Sequence, residues 1–127
     1  MMTYSEMERE INEIPKFGAK ASLSNLSDYL ELANRPERNL RVIHIAGTNG
    51  KGSTVNYLRS ILNAHGYKVG TFTSPYLICH NDRIRVDDIP ISDEDLLKYV
   101  NQYYAIIEED GLSMFEIDVL IMLAYFQ

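Results

Sequence analysis

The stretch His44–Thr54, HIAGTNGKGST, holds Gly47, Asn49, Gly50, Lys51 and Gly52 within six residues. Glycines let a main chain bring several N–H groups close to an anion, and a helix that begins at such a loop adds the positive end of its dipole. A lysine neutralises outer phosphates, and a hydroxyl early in the helix ligates magnesium. Gly47, Gly50, Lys51, Gly52, Ser53 and Thr54 supply these parts in order, which points to a phosphate chain carried with a divalent cation. The strict pattern of glycine, four residues, Gly-Lys and a hydroxyl residue is not met. Ile45 stands at the first glycine, and Gly52 separates Lys51 from Ser53. The competing reading is a tight strand-to-helix turn whose glycines serve packing alone.

The elements around the loop decide between these readings. Arg41 to Ala46 is a β-branched apolar run that predicts a buried strand, with His44 satisfied inside it. Val55, Leu58, Ile61 and Leu62 mark one helix face after the loop, and Gly66 stands as the C-terminal cap with His65 beside the helix end. Lys68 to Thr73 predicts a second strand. Strand, glycine loop, helix and strand make a right-handed crossover onto a parallel sheet. Upstream, Ser5 with Glu8 predicts a capping box for a helix burying Met7, Ile11 and Ile14; Leu23, Leu26 and Leu30 predict another that closes before Pro36.

Downstream, Ser74 to Asp82 has no period, and RIRVDDIPI predicts a hairpin turning at Asp87-Asp88, with Pro90 on an edge. On an exposed hairpin Arg83 and Arg85 read as solvated; as cations they can also meet an anionic tail. Ser92 with Asp95 opens a helix bearing Leu96, Val100, Tyr104 and Ile107. Ser113 with Glu116 opens a last one bearing Phe115, Val119, Met122, Leu123 and Phe126. That helix stops at Gln127 without a cap, and two strands are few for a sheet of about five or six. The expectation is the front part of a longer protein.

The composition narrows the partners. The 127 residues carry 12 basic and 18 acidic side chains, a formal charge of −6, which speaks against a nucleic-acid or anionic-membrane surface. An anionic ligand must then be held by a local cluster of donors. The single cysteine, Cys79, forms no internal disulfide and reads as a small loop residue. The N-terminus lacks a signal-type apolar core, and no stretch approaches the roughly 20 apolar residues of a membrane helix. A cytoplasmic protein is expected.

The motif in its setting resembles the nucleotide loop of folylpolyglutamate synthase and dihydrofolate synthase, of the Mur ligase superfamily. GYKVGTFTSPYL, from Gly66 to Leu77, is similar to that family's second strand and Thr-Ser-Pro turn, and HNDRIRV resembles the loop that follows. The FGAK start and SMFE near the end fall in family order. His80 stands where the family has phenylalanine, Asp82 where it has glutamate, and Ser22-Leu23 where it has a glycine-leucine pair. The resemblance implies an α/β fold: a P-loop-containing Mur-ligase-type central domain of three layers around a parallel sheet. Residues 1–127 would be the N-terminal part of the ATP-binding domain, with the C-terminal glutamate-binding domain absent.

By the same resemblance, ATP phosphorylates a carboxylate of a folate or dihydropteroate, and the amine of L-glutamate attacks the acyl phosphate to form an amide. A carboxylate at neutral pH is a poor electrophile, so activation is required. Thr48, Asn49, Gly50 and Lys51 would contact the β- and γ-phosphates, Lys51 as the catalytic cation, with Gly52 and Ser53 completing the cradle. Ser74 and Ser53 would share a magnesium ion with phosphate oxygens. Ser113, Met114, Phe115 and Glu116 match the pterin-contacting segment, although Ser113 and Glu116 equally make a capping box and Phe115 suits a core. Ala19, Lys20 and Ala21 match a further substrate segment. A monomeric full-length ligase is expected, with this stretch inactive alone because later metal and glutamate groups lie beyond Gln127. Another Mur-type amino-acid ligase and a non-catalytic ATP-binding module are the alternatives; a P-loop kinase or GTPase fits the loop spacing less well.

Overall fold

The computed structural model describes residues 2–14, 24–110 and 112–127; of Ser24, Asn25 and residues 106–110 it describes the backbone only. The expected substrate residues Ala19, Lys20 and Ala21 lie outside the described residues. The chain forms two compact units, Met1–Leu40 with Asp93–Gln127, and Arg41–Ser92.

The first unit is helical: α1 (Tyr4–Glu13), α2 (Ser24–Leu32), a 3₁₀ turn at Pro36–Asn39, α4 (Asp93–Asp110) and α5 (Met114–Phe126). Its apolar core is Met7 and Ile11 of α1, Tyr29 of α2, Leu96, Val100 and Tyr103 of α4, and Met114, Ile117, Leu120, Ile121 and Leu123 of α5. The capping box of α1 is Thr3 with Glu6, not Ser5 with Glu8. The helix starts two residues early because Thr3 Oγ1 accepts from the Glu6 N–H while Glu6 Oε2 accepts from Thr3 N at 2.9 Å. The Ser113–Glu116 box forms as expected: Glu116 Oε2 lies 2.8 Å from both Ser113 N and Ser113 Oγ.

Two inward faces differ from expectation. In α5 the buried set is shifted, and Phe115 stands 49% exposed in its first turn. That helix is apolar on nearly every side, so spacing alone does not choose its buried face. In α4 Tyr103 is buried, while the Tyr104 hydroxyl donates to Glu10 Oε2 at 3.0 Å.

The second unit carries α3 (Lys51–Ala64), β1 (Gly70–Phe72), a 3₁₀ turn at His80–Arg83, β2 (Ile84–Val86) and β3 (Ile89–Pro90). The strands pair in the order β1-β2-β3, both pairs antiparallel. The hairpin is the expected one. Asp87 and Asp88 both have positive φ, 49° and 68°, which matches a type I′ turn, and Pro90 sits on the edge strand.

The expected parallel crossover is not formed among the described residues. Residues 41–46 form no strand, and none of the described strands pairs with them. Val42 and Ile43 are 69% and 64% exposed, and His44 is exposed instead of buried. A β-branched run forms a ladder only where a partner strand offers its N–H and C=O groups. β1 finds that partner in the hairpin. Ile61 of α3 is exposed as well, while Val55, Leu58 and Leu62 are half-buried.

At its C-terminus α3 closes with His65 and Gly66, whose φ is +85°. Gly66 N donates to Asn63 O at 2.9 Å and Tyr67 N to Leu62 O at 3.1 Å, a Schellman closure that needs the left-handed residue. His65 Nδ1 lies 2.8 Å from Ile61 O, as its place at the helix end predicts. Among the described residues no helix is long and apolar enough to cross a membrane.

Candidate functional site

The glycine loop ends where α3 begins. Gly50 is the N-cap in the left-handed region, φ +76°, a conformation that costs a residue with a Cβ but not glycine. The α3 N-terminus is therefore reached without a side-chain cap, and its first N–H groups are left for another acceptor. Lys51 bends back over the loop: its Nζ donates to Gly47 O, and to Thr48 O at 3.3 Å. The ammonium already stands over the loop that the sequence assigned to phosphates.

Gly52 lies in the first turn of α3, and a Cβ built on it would meet nothing within 4 Å. No packing contact among the described residues requires a glycine there. The open side is what close approach of a bulky anion needs, so the residues present fit a phosphate chain. Thr54 Oγ1 donates to Gly50 O at 2.8 Å, so this hydroxyl serves the helix start. Ser53 is exposed beside it, and Thr48 and Asn49 are exposed in the loop.

Ser74 follows β1 and is exposed; the Ser74–Pro75 peptide is cis. Among the described residues no group of three or more His, Cys, Asp or Glu side chains is arranged to hold a metal ion. The hydroxyls of Ser53 and Ser74 are among the oxygens these two segments could offer a hard cation, with phosphate oxygens and water completing its shell.

The loop after Ser74 is anchored in a way the sequence reading did not find. Asp82 Oδ2 accepts from Ile78 N at 2.8 Å and Cys79 N at 3.2 Å, and Asp82 Oδ1 pairs with Arg85 Nη2 at 2.8 Å. The Ile78 amide is the main reason its carboxyl titrates below the ordinary range, with the Cys79 amide and Arg85 adding to it. Asn81 Nδ2 donates to Ile91 O at 2.8 Å. Arg83 is buried, its guanidinium 5.3 Å from the Tyr76 ring, and Arg85 is tied to Asp82 and Asp88. Neither arginine is simply solvated. The available signal was Asp82 three residues before Arg85.

A depressed carboxyl contributes stability above its unfolded pKa of about 3.9 and loses it as pH falls through the lower folded value. Amide protection at Ile78 and Cys79 is therefore expected to hold at pH 6 and to fall below about pH 4. Asp82→Ala should remove that protection at every pH, at roughly 1–3 kcal/mol for part-buried charge-assisted bonds, readable by hydrogen exchange.

In the helical unit, Ser113, Met114 and Glu116 are drawn into the start of α5, Ser113 and Met114 buried and Glu116 half-buried in the capping box. Phe115 alone of the four turns its ring outward. The core reading of Phe115 is not what the structure shows.

No family model matches the chain. A dihydrofolate synthase/folylpolyglutamate synthase of Bacillus subtilis is 48% identical over 99 residues, 78% of this chain and 23% of the relative. A dihydrofolate synthetase of Saccharomyces cerevisiae is 38% identical over 103 residues, 81% of this chain and 24% of that protein. A solved complex of folylpolyglutamate synthase with AMPPCP and folate superposes with a TM-score of 0.88 at 32% identity, over 98% of this chain and 32% of the other. The fold is thus that of the Mur-ligase-type synthases. Over the part it spans, the chain belongs to the folylpolyglutamate/dihydrofolate synthase family. It covers about a quarter to a third of the length of these relatives.

Proposed function

We propose that the chain supplies the nucleotide-phosphate loop and a folate-contacting segment of an ATP-dependent ligase that joins L-glutamate to a folate or dihydropteroate carboxylate. The observation that carries this reading is the left-handed Gly50 cap opening α3 at Lys51, with the lysine ammonium already over the loop. In a relative of the same fold, the nucleotide analogue AMPPCP and folate are bound together.

In this reading the N–H groups of the loop and first helical turn take the β- and γ-phosphates, and Gly52 leaves room for their approach. Lys51 exchanges the carbonyls of Gly47 and Thr48 for γ-phosphate oxygens and offsets charge as that phosphoryl group moves to the substrate carboxylate. A magnesium ion, when bound, screens the phosphate oxygens, and Ser53 and Ser74 are the hydroxyls that would hold it. The acyl phosphate then gives the carbonyl a good leaving group, and the glutamate amine displaces phosphate. The loop belongs to the parallel-sheet nucleotide domain of the whole ligase, a monomeric cytoplasmic enzyme acting on small molecules.

Phe115 is the proposed stacking surface for the pterin. Its exposure supports this, since a ring buried in the core would be unable to reach a ligand. Phe115→Ala is expected to weaken folate binding roughly three- to tenfold, the scale of one aromatic stacking contact, while leaving the unfolding midpoint nearly unchanged. Fluorescence titration with dihydropteroate and with folate checks this. Unaltered affinity for both would remove Phe115 from the site. For the reaction, ATP consumption by the full-length protein should depend on a folate or dihydropteroate together with L-glutamate. Consumption that responds to neither would reject the ligase reading.

A further inference from the structure

Asp87 and Asn63 join the ends of two elements whose opposite ends hold the proposed phosphate and metal groups. Asp87 Oδ1 accepts from Asn63 Nδ2 at 2.7 Å and from Val69 N at 2.9 Å, and Asp87 N donates to Val69 O at 2.9 Å. Asn63 Nδ2 also donates to Tyr67 O at 3.0 Å. Arg59 reinforces the junction, with Nη1 3.0 Å from Asn63 Oδ1 and Nη2 3.7 Å from Asp88 Oδ2.

Asn63 lies about 18 Å along α3 from Lys51, twelve residues at roughly 1.5 Å each. β1 carries the chain about 10 Å from Val69 to Phe72, three residues at roughly 3.3 Å each, and Ser74 follows two residues later. The Schellman turn at Gly66 sends the chain back, and α3 packs on β1. Lys51 and Ser74 therefore fall toward one end of this pair, and the Asp87–Asn63 junction toward the other. A type I′ turn alone asks only for residues that accept positive φ. The convergence of a helix side chain and the amide just before β1 on one carboxylate oxygen exceeds that need.

We propose that Asp87 and Asn63 are positioning residues, fixing the angle between α3 and the β1–β2 ladder so that one magnesium ion on the nucleotide meets both the glycine loop and Ser74. The proposal rests on the nucleotide reading above. It concerns the magnesium-dependent part of binding, because ATP alone needs only the loop, whereas sharing the ion needs the loop and Ser74 in register.

The test is calorimetric titration of the purified chain with ATP, with and without magnesium, for the wild type and three variants. Asp87→Gly keeps the left-handed backbone and removes the carboxylate. Asn63→Ala cuts the helix link but leaves the Asp87–Val69 pair. Asp87→Asn keeps an oxygen that accepts the same two bonds and tolerates positive φ. Magnesium should strengthen wild-type ATP binding. Asp87→Gly and Asn63→Ala should lose at least fivefold of that gain with magnesium-free affinity within twofold, and Asp87→Asn should retain it.

Equal losses with and without magnesium would reduce the junction to a structural role and overturn the proposal, as would no loss in either variant. If Asp87→Gly fails to fold, Asn63→Ala decides. A wild-type chain that binds ATP equally well with and without magnesium also contradicts the proposal, but leaves the nucleotide reading standing. A wild-type chain that does not bind ATP at all rejects that reading, and this proposal with it.

Discussion

Lys51→Ala is expected to lower the affinity of the chain for magnesium ATP by about ten- to a hundredfold. The estimate follows from losing one or two charge-assisted bonds of roughly 1.5–3 kcal/mol together, at about 1.4 kcal/mol per factor of ten. The cost to the fold should be small, because Lys51 is exposed and touches the loop carbonyls of Gly47 and Thr48. Calorimetry against ATP, beside a thermal melt of the same sample, separates the two effects. Lys51→Arg should restore only part of the affinity, since a planar guanidinium does not reproduce a compact ammonium inside a narrow loop. A variant that binds as the wild type does would mean that the lysine's position over the loop has no bearing on phosphates.

The largest effect on stability is expected at Leu120. Its side chain is fully buried on α5, among a set that includes Ile117 and Ile121. Leu120→Ala should cost about 2–5 kcal/mol, from lost burial plus the cavity left behind. Urea denaturation followed by far-ultraviolet circular dichroism reads this directly. The contrast with Phe115→Ala matters most. Both residues sit on one apolar helix, five positions apart, yet one substitution should unfold the protein more easily and the other should leave its midpoint where it was. Equal destabilisation by the two would place the Phe115 ring in the core and remove the argument for its role in binding.

Much of the site was legible because local chemistry dictates it. Three glycines, a lysine and a following helix pattern specify a loop that turns into a helix N-terminus, and Gly50 and Lys51 stand there. The Asp87-Asp88 turn, the Gly66 closure and the Ser113–Glu116 box were legible for the same reason, since each is written in neighbouring residues. What the sequence hid depends on partners distant in the chain. Residues 41–46 have the composition of a buried strand, but composition does not say which strand will pair with them. The face of α5 was ambiguous because apolar residues surround it, and packing against α4 and α2 chose the face. The link from Asn63 to Asp87 spans 24 positions, so neither residue signals the other.

The central claim is that the loop from Gly47 to Thr54 holds nucleotide phosphates. Amide and lysine-ammonium NMR shifts of the labelled chain, followed while magnesium ATP is added, test it most directly. Saturable shifts are expected at Thr48 to Thr54 and at the Lys51 ammonium, as it leaves the Gly47 and Thr48 carbonyls. Saturable shifts confined to other segments, or none at millimolar nucleotide, would contradict it.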